Sequence, residues 1–135
     1  MAHWLLKTEP SDYSFQDLVR EKRVAWSGVS NAAALKHMRS MQKGDEVLIY
    51  HTGDERAVVG LATLAKGPYV PAGEQNEKLV VVDVAAGKAL PRPVGLGEIK
   101  ADARFKEWAL VKIGRLSVVP TTAEQFAAVL ELSGK

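Results

Sequence analysis

Most apolar, β-prone runs in this chain are short and close on proline or glycine. Trp4 to Glu9 stops at Pro10, Val47 to His51 runs into the turn Gly53-Asp54-Glu55, and Ile113 to Val119 meets Pro120. Proline removes a ladder donor and glycine permits a tight turn, so such runs read as separate short strands. The helical stretches between them are short too and do not follow the regular strand–helix–strand alternation of a doubly wound sheet. The pattern predicts an α+β fold: a closed or half-closed mixed β-barrel of about five or six strands with peripheral short helices.

Local signals place the elements. Ser14 or Ser11 can cap a helix through Asp17-Leu18-Val19-Arg20, because a serine oxygen accepts from the first free amides. Arg23 to Trp26 is a short extended piece. Asn31 stands where the N-cap of a helix from Ala32 to Met41 belongs; Leu35, Met38 and Met41 have inward spacing and Gly44 is the natural stop. Arg56 to Leu64 returns as the partner of Val47 to His51. Gly67-Pro68-Tyr69 and Pro71-Ala72-Gly73 punctuate a loop, and Leu79 to Val84 is a further strand. Pro91, Pro93, Gly95 and Gly97 form a connection into a short helix near Leu96 to Ala101. Thr121 or Thr122 caps a last helix, Ala123 to Leu132, with Phe126, Val129 and Leu130 on its apolar face. Four helices are expected in all.

Composition narrows the function classes. The 135 residues suit one domain, 1-135, and the absence of cysteine removes disulfides, thiolate metal sites and thiol catalysis. His3, His37 and His51 lie far apart without ligand-type spacing, so no metal and no cofactor is expected. No apolar run nears the roughly 20 residues of a membrane span, and the start is too short for a signal peptide. A cytoplasmic, monomeric protein with no membrane contact is the default expectation. Net charge is only +2, yet Lys22, Arg23, Lys36, Arg39 and Lys43 stand in a window from Lys22 to Gly44 without any Asp or Glu. Such a window is either a solvated helix face or a phosphate-facing surface.

Three patches mix aromatic and polar residues where packing asks for neither. In Trp26-Ser27-Gly28-Val29-Ser30-Asn31 an indole ends a short strand beside a glycine turn that lets a ligand approach the backbone. A base stacked on such a ring gains about 1–3 kcal/mol whatever its identity. Asn31 presents a donor and an acceptor suited to a base edge, and the plainer reading is a helix cap. Tyr50-His51-Thr52 ends a strand, with Tyr50 and Thr52 on one face and His51 on the other. A lone strand-end histidine is more often structural than catalytic. Lys7-Thr8-Glu9 closes the first strand, Lys7 and Glu9 sharing a face. Aromatic faces, hydrogen-bonding tips and local positive charge together describe a pocket for an unpaired nucleobase.

Taken in order, Trp4-Leu5-Leu6-Lys7-Thr8-Glu9-Pro10, Trp26 to Asn31 and Tyr50-His51-Thr52-Gly53, with the ending Arg115-Leu116-Ser117-Val118-Val119-Pro120-Thr121-Thr122, resemble the EVE domain family over essentially the whole chain. The resemblance implies a PUA-like barrel, related to YTH domains, that reads modified bases without catalysis, with 5-methylcytosine-type marks in DNA as the target. It implies a base pocket lined by Lys7, Thr8, Glu9, Trp26, Val29, Asn31, Tyr50, His51 and Thr52. Within it Trp26 would be the stacking platform, with Asn31 and Thr52 reading polar edges. Lys22, Arg23, Lys36 and Arg39 would meet phosphates. The partner is then a nucleic acid carrying a modified base, DNA ahead of RNA.

Two other classes stay open. Related PUA-like amidohydrolases act on modified cytidine with Lys, Thr and Glu. Alternation turns Thr8 away from Lys7 and Glu9, so the run is no triad by itself, and a spatial set of Lys7, Thr52 and Glu9 would be needed. An RNA-binding module is the other alternative, since recognition of the 2′-hydroxyl leaves no sequence pattern here.

Overall fold

The structure, a computed structural model, describes residues 1–134. Its elements in chain order are β1 (His3–Thr8), α1 (Phe15–Glu21), β2 (Arg23–Trp26), α2 (Ala32–Arg39), β3 (Glu46–His51), β4 (Ala57–Tyr69) and β5 (Val81–Gly95). There follow α3 (Leu96–Lys100), a 3-10 turn (Ala103–Phe105), α4 (Ala109–Lys112), β6 (Val118–Thr121) and α5 (Ala123–Leu132). The starts of α1, α2 and α5 follow side-chain chemistry. Ser14 and Asp17 form a capping box on α1, Thr122 and Gln125 form another on α5, and Asn31 caps α2. Such caps contribute about 1 kcal/mol each by satisfying amides that have no partner inside the helix.

The strands form one mixed six-stranded sheet in the order β2-β5-β4-β3-β1-β6. β1 and β3 run parallel, joined by the long crossover through α1, β2 and α2, and the other neighbours are antiparallel. No ladder joins the edge strands β2 and β6 among the described residues, so the barrel is half-closed with an open seam between them. Leu5 and Leu6 of β1, Val47 to Ile49 of β3 and Val118 and Val119 of β6 are fully buried and fill the core.

The prolines behave differently from the sequence expectation. Gly67-Pro68-Tyr69 is the end of β4 and not a loop, and Pro91 and Pro93 lie within β5 and not in a connection. Register shifts between Leu64 and Tyr69 of β4, and the irregular pairing of Ala89 to Val94 of β5, leave those prolines outside the ladder. Pro120 likewise sits inside β6, opposite Trp4, where an edge strand tolerates a missing donor. The last strand is therefore Val118–Thr121, and Ile113 to Ser117 is a turn. α2 ends at Arg39 with Ser40 as its cap, and Gly44 serves the turn into β3. Among the described residues five helices and the 3-10 turn form where four helices were expected; Ala103–Phe105 and Ala109–Lys112 are too short to show a period.

One contact locks α1 to the sheet. Phe15 is buried against Gly60 of β4 so closely that a Cβ there would overlap the Phe15 ring. Gly60→Ala should therefore force Phe15 or the strand aside and cost about 1–3 kcal/mol, the usual range for overpacking. Urea denaturation would register this as a lower midpoint at unchanged slope.

Candidate functional site

The open seam holds a cavity of about 550 Å³. Lys7, Thr8 and Glu9, at the end of β1, form one wall. Trp26 and the loop that follows it, including Val29 and Asn31, form the opposite wall. Trp26 is 8 % exposed and lines this space, unlike the indoles of Trp4 and Trp108, whose Nε1 atoms donate to Asp45 and to the Pro120 carbonyl inside the fold. The Tyr13 ring meets Trp26 in a T-shaped contact, centroids 6.2 Å apart at 87°. Two aromatic rings at right angles beside a void make a corner that a flat heterocycle can enter.

Asn31 is the cap of α2. Its Oδ1 accepts from the Ala33 and Ala34 amides at 2.9 and 3.1 Å, which fixes the side chain as a cap. With the oxygen committed, only its NH₂ group can serve a ligand, so Asn31 can present donors to an acceptor. The Thr8 hydroxyl donates to the Tyr13 carbonyl at 2.6 Å and holds the Tyr13 loop against β1. Lys7 is half-buried, its Nζ donating to the Gly114 carbonyl at 3.0 Å, and desolvation holds its ammonium below the usual lysine range. Burial and the neighbouring Glu21 carboxylate push the Tyr13 phenol up to about 12, so it stays a neutral hydroxyl at physiological pH.

The third patch stands apart from this cavity. Tyr50 and Thr52 open on a second, smaller cavity of about 190 Å³, which Lys7 also lines. His51 points the other way, is 4 % exposed, and borders neither cavity. Its Nε2 accepts the Phe15 amide at 2.9 Å, so the proton sits on Nδ1, which faces Glu55 Oε1 at 2.7 Å. That arrangement completes the first turn of α1. Thr52 touches the main cavity indirectly: its hydroxyl donates to Glu9 Oε2 at 3.2 Å.

The four basic residues lie outside the cavity. Arg23 is paired with Asp83 at 2.9 Å, and Asp83 is held below the usual carboxylate range by the Tyr69 hydroxyl first and by Arg23 second. Lys36 and Arg39 are exposed on α2 and Lys22 caps α1, none with a carboxylate partner among the described residues. Arg39 also borders a shallow groove of about 600 Å³ that shares Ser30 with the main cavity. Residues that sequence reasoning missed are Asp12, Tyr13, Val24, Ala25 and Ser117, all on the cavity wall. An aromatic directly after the Pro10-Ser11-Asp12 turn was the one available signal for Tyr13.

A half-closed mixed barrel, short helices around it and an aromatic cleft at its seam define a PUA-like domain. The EVE domain model matches residues 2–132, and the chain belongs to that family. It is 38% identical to a Rhodopseudomonas palustris protein solved by NMR, with a TM-score of 0.94 over 99% of this chain and 94% of that one. Human thymocyte nuclear protein 1 is 29% identical over 99% of this chain and 75% of its own length. A crystal structure of the human protein in complex with 5-methylcytosine-containing DNA superposes with a TM-score of 0.91 at 28% identity, covering 100% of this chain and 99% of that one. ASCH from Zymomonas mobilis, at 13% identity and a TM-score of 0.59 over 97% of this chain and 95% of its own, shares the fold alone.

Proposed function

We propose that this chain is a non-enzymatic reader of nucleic acid that holds a flipped, modified base, of the 5-methylcytosine type in DNA, in the seam cavity. The observation that carries the reading is the Trp26–Tyr13 corner on a cavity of about 550 Å³, in a domain whose human relative is solved with DNA bearing that base. Flipping a base costs a few kcal/mol, which stacking on Trp26 and hydrogen bonds to the base edge must offset. Asn31 supplies donors through its NH₂ group, matching the carbonyl and ring nitrogen on the cytosine edge. A methyl group adds only about 0.8 kcal/mol on burial, so preference over plain cytosine is expected to be a few-fold. The test is an affinity panel of plain and modified nucleosides and matched DNA and RNA oligonucleotides. Equal, weak binding to all of them would remove the reading.

Lys22, Lys36 and Arg39 supply the sequence-independent part by meeting phosphates, while Arg23 is already committed to Asp83. Lys36→Ala or Arg39→Ala should weaken binding to every oligonucleotide alike and flatten the slope of log affinity against log salt by about 0.9 per lost contact. Titration at several salt concentrations reads this directly.

One contact favours a second reading. Thr52 donates to Glu9 at 3.2 Å with Lys7 nearby, the pairing that an amidohydrolase acting on modified cytidine would need. Turnover of N4-acetylcytidine would establish it; binding without turnover favours the reader.

A further inference from the structure

The second cavity carries an unusual charge for its size. Three cations, Lys7, Arg56 and Lys100, face about 190 Å³, and no Asp or Glu lines it. None of the three is in an ion pair among the described residues. Asp54 and Glu55 border the adjoining cavity with Arg56 and Lys100, and Glu55 is engaged by His51. Glu9 lines the seam cavity, accepts from Thr52 and packs against Gly53 at the border of the two spaces.

A buried hydroxyl opens on the same space. Tyr50 is 3 % exposed, makes no side-chain hydrogen bond among the described residues, and lines the cavity. Its oxygen is not sealed, since no side-chain polar atom is buried without a partner among the described residues. Burial pushes the phenol up while the charge of Arg56 opposes that shift, so the hydroxyl is a neutral donor with a guanidinium beside it. Lys7 Nζ lies 5.6 Å from the Tyr50 ring centroid and spends one donor on Gly114, leaving two for a ligand. A small space walled by three cations and two neutral hydroxyls, with no carboxylate among its lining side chains, is matched to a multivalent oxyanion.

We infer that this second cavity is a phosphate subsite, and that it takes the phosphate of the nucleotide whose base enters the seam cavity. The coupling to the base rests on the function proposed above; the anion chemistry of the cavity does not. Adjacency supports the pairing, because the two spaces share Lys7 and are divided by the Glu9–Thr52 contact. Arg56, Lys100 and Tyr50 donate to the phosphate oxygens, and Lys7 bridges phosphate and base.

The experiment compares 5-methyl-2′-deoxycytidine with its 5′- and 3′-monophosphates, and with inorganic phosphate, by calorimetry and by amide NMR shifts. One of the two monophosphates should bind about tenfold tighter than the nucleoside, the scale of charge-assisted hydrogen bonds. Tyr50→Phe and Lys100→Gln should each shrink that ratio toward one. Equal affinity of both monophosphates and the nucleoside, or an increment that survives both substitutions, would overturn the subsite. Inorganic phosphate separates the two layers. Shifts at Gly53 and Gly114 that vanish in Lys100→Gln support the anion site even where no nucleoside binds, and in that case the base reading falls while the anion site stands.

Discussion

Trp26→Ala should lower affinity for an oligonucleotide carrying the modified base by about 5- to 150-fold, the equivalent of the roughly 1–3 kcal/mol that one stacked base contributes. The indole is the residue that the base would lie against, and it is braced for that task. Val82 of β5 pairs with it across the ladder and the edge of Tyr13 meets it at 87°. A ring held from two sides loses little entropy when a ligand arrives, so most of the stacking energy appears as affinity.

The fold should survive this change. A sealed tryptophan cut to alanine would cost about 3–5 kcal/mol, but here the deletion enlarges a space already open to solvent. The destabilisation should fall below that range, and far-ultraviolet circular dichroism should stay that of the wild type. Trp26→Phe, which keeps an aromatic face, should land between the two affinities. Unchanged affinity in a folded Trp26→Ala variant would take the indole out of the site. Lost affinity in both variants with equal loss of structure would mean that Trp26 serves packing alone.

Much of this site was legible because it sits on strand ends and a helix cap, where local chemistry is explicit. Trp26 closes a four-residue strand and Asn31 caps the helix five residues later, so one stretch of chain carries both. Lys7, Thr8 and Glu9 reach the same cavity because β1 ends beside the seam. What could not be read was which patches face each other. Alternation separated His51 from Tyr50 and Thr52 correctly, but it contains nothing about the partition that Glu9 and Thr52 make between two cavities. Tyr13 and Ser117 arrive from turns without periodicity and join the wall only through tertiary contact. The prolines misled for a related reason. Proline ends a central strand, whereas Pro120 lies on the sheet edge and Pro91 and Pro93 on irregular pairing, facts of strand order that no local pattern encodes.

Asp45→Ala should be strongly destabilising although it lies away from the site, lowering stability by about 2–3 kcal/mol. Asp45 is 3 % exposed, and its carboxylate ties three segments together. Oδ2 accepts from the Trp4 indole and from the Gln42 amide, both at 2.9 Å, and Oδ1 accepts from the Ala2 amide at 3.1 Å. Removing it leaves the buried Trp4 indole N–H with nothing to receive it and strips the part-buried Ala2 and Gln42 amides of their acceptor, and an unsatisfied buried donor costs about 1–3 kcal/mol. Asp45→Asn should cost less, because the amide oxygen can still face Trp4 and Gln42 while its NH₂ group opposes the Ala2 amide. Chemical denaturation of the three proteins should therefore order them wild type, Asn, Ala, with the slopes alike. An Ala variant as stable as the wild type would show that water replaces the carboxylate and that this junction does not hold β1 in place.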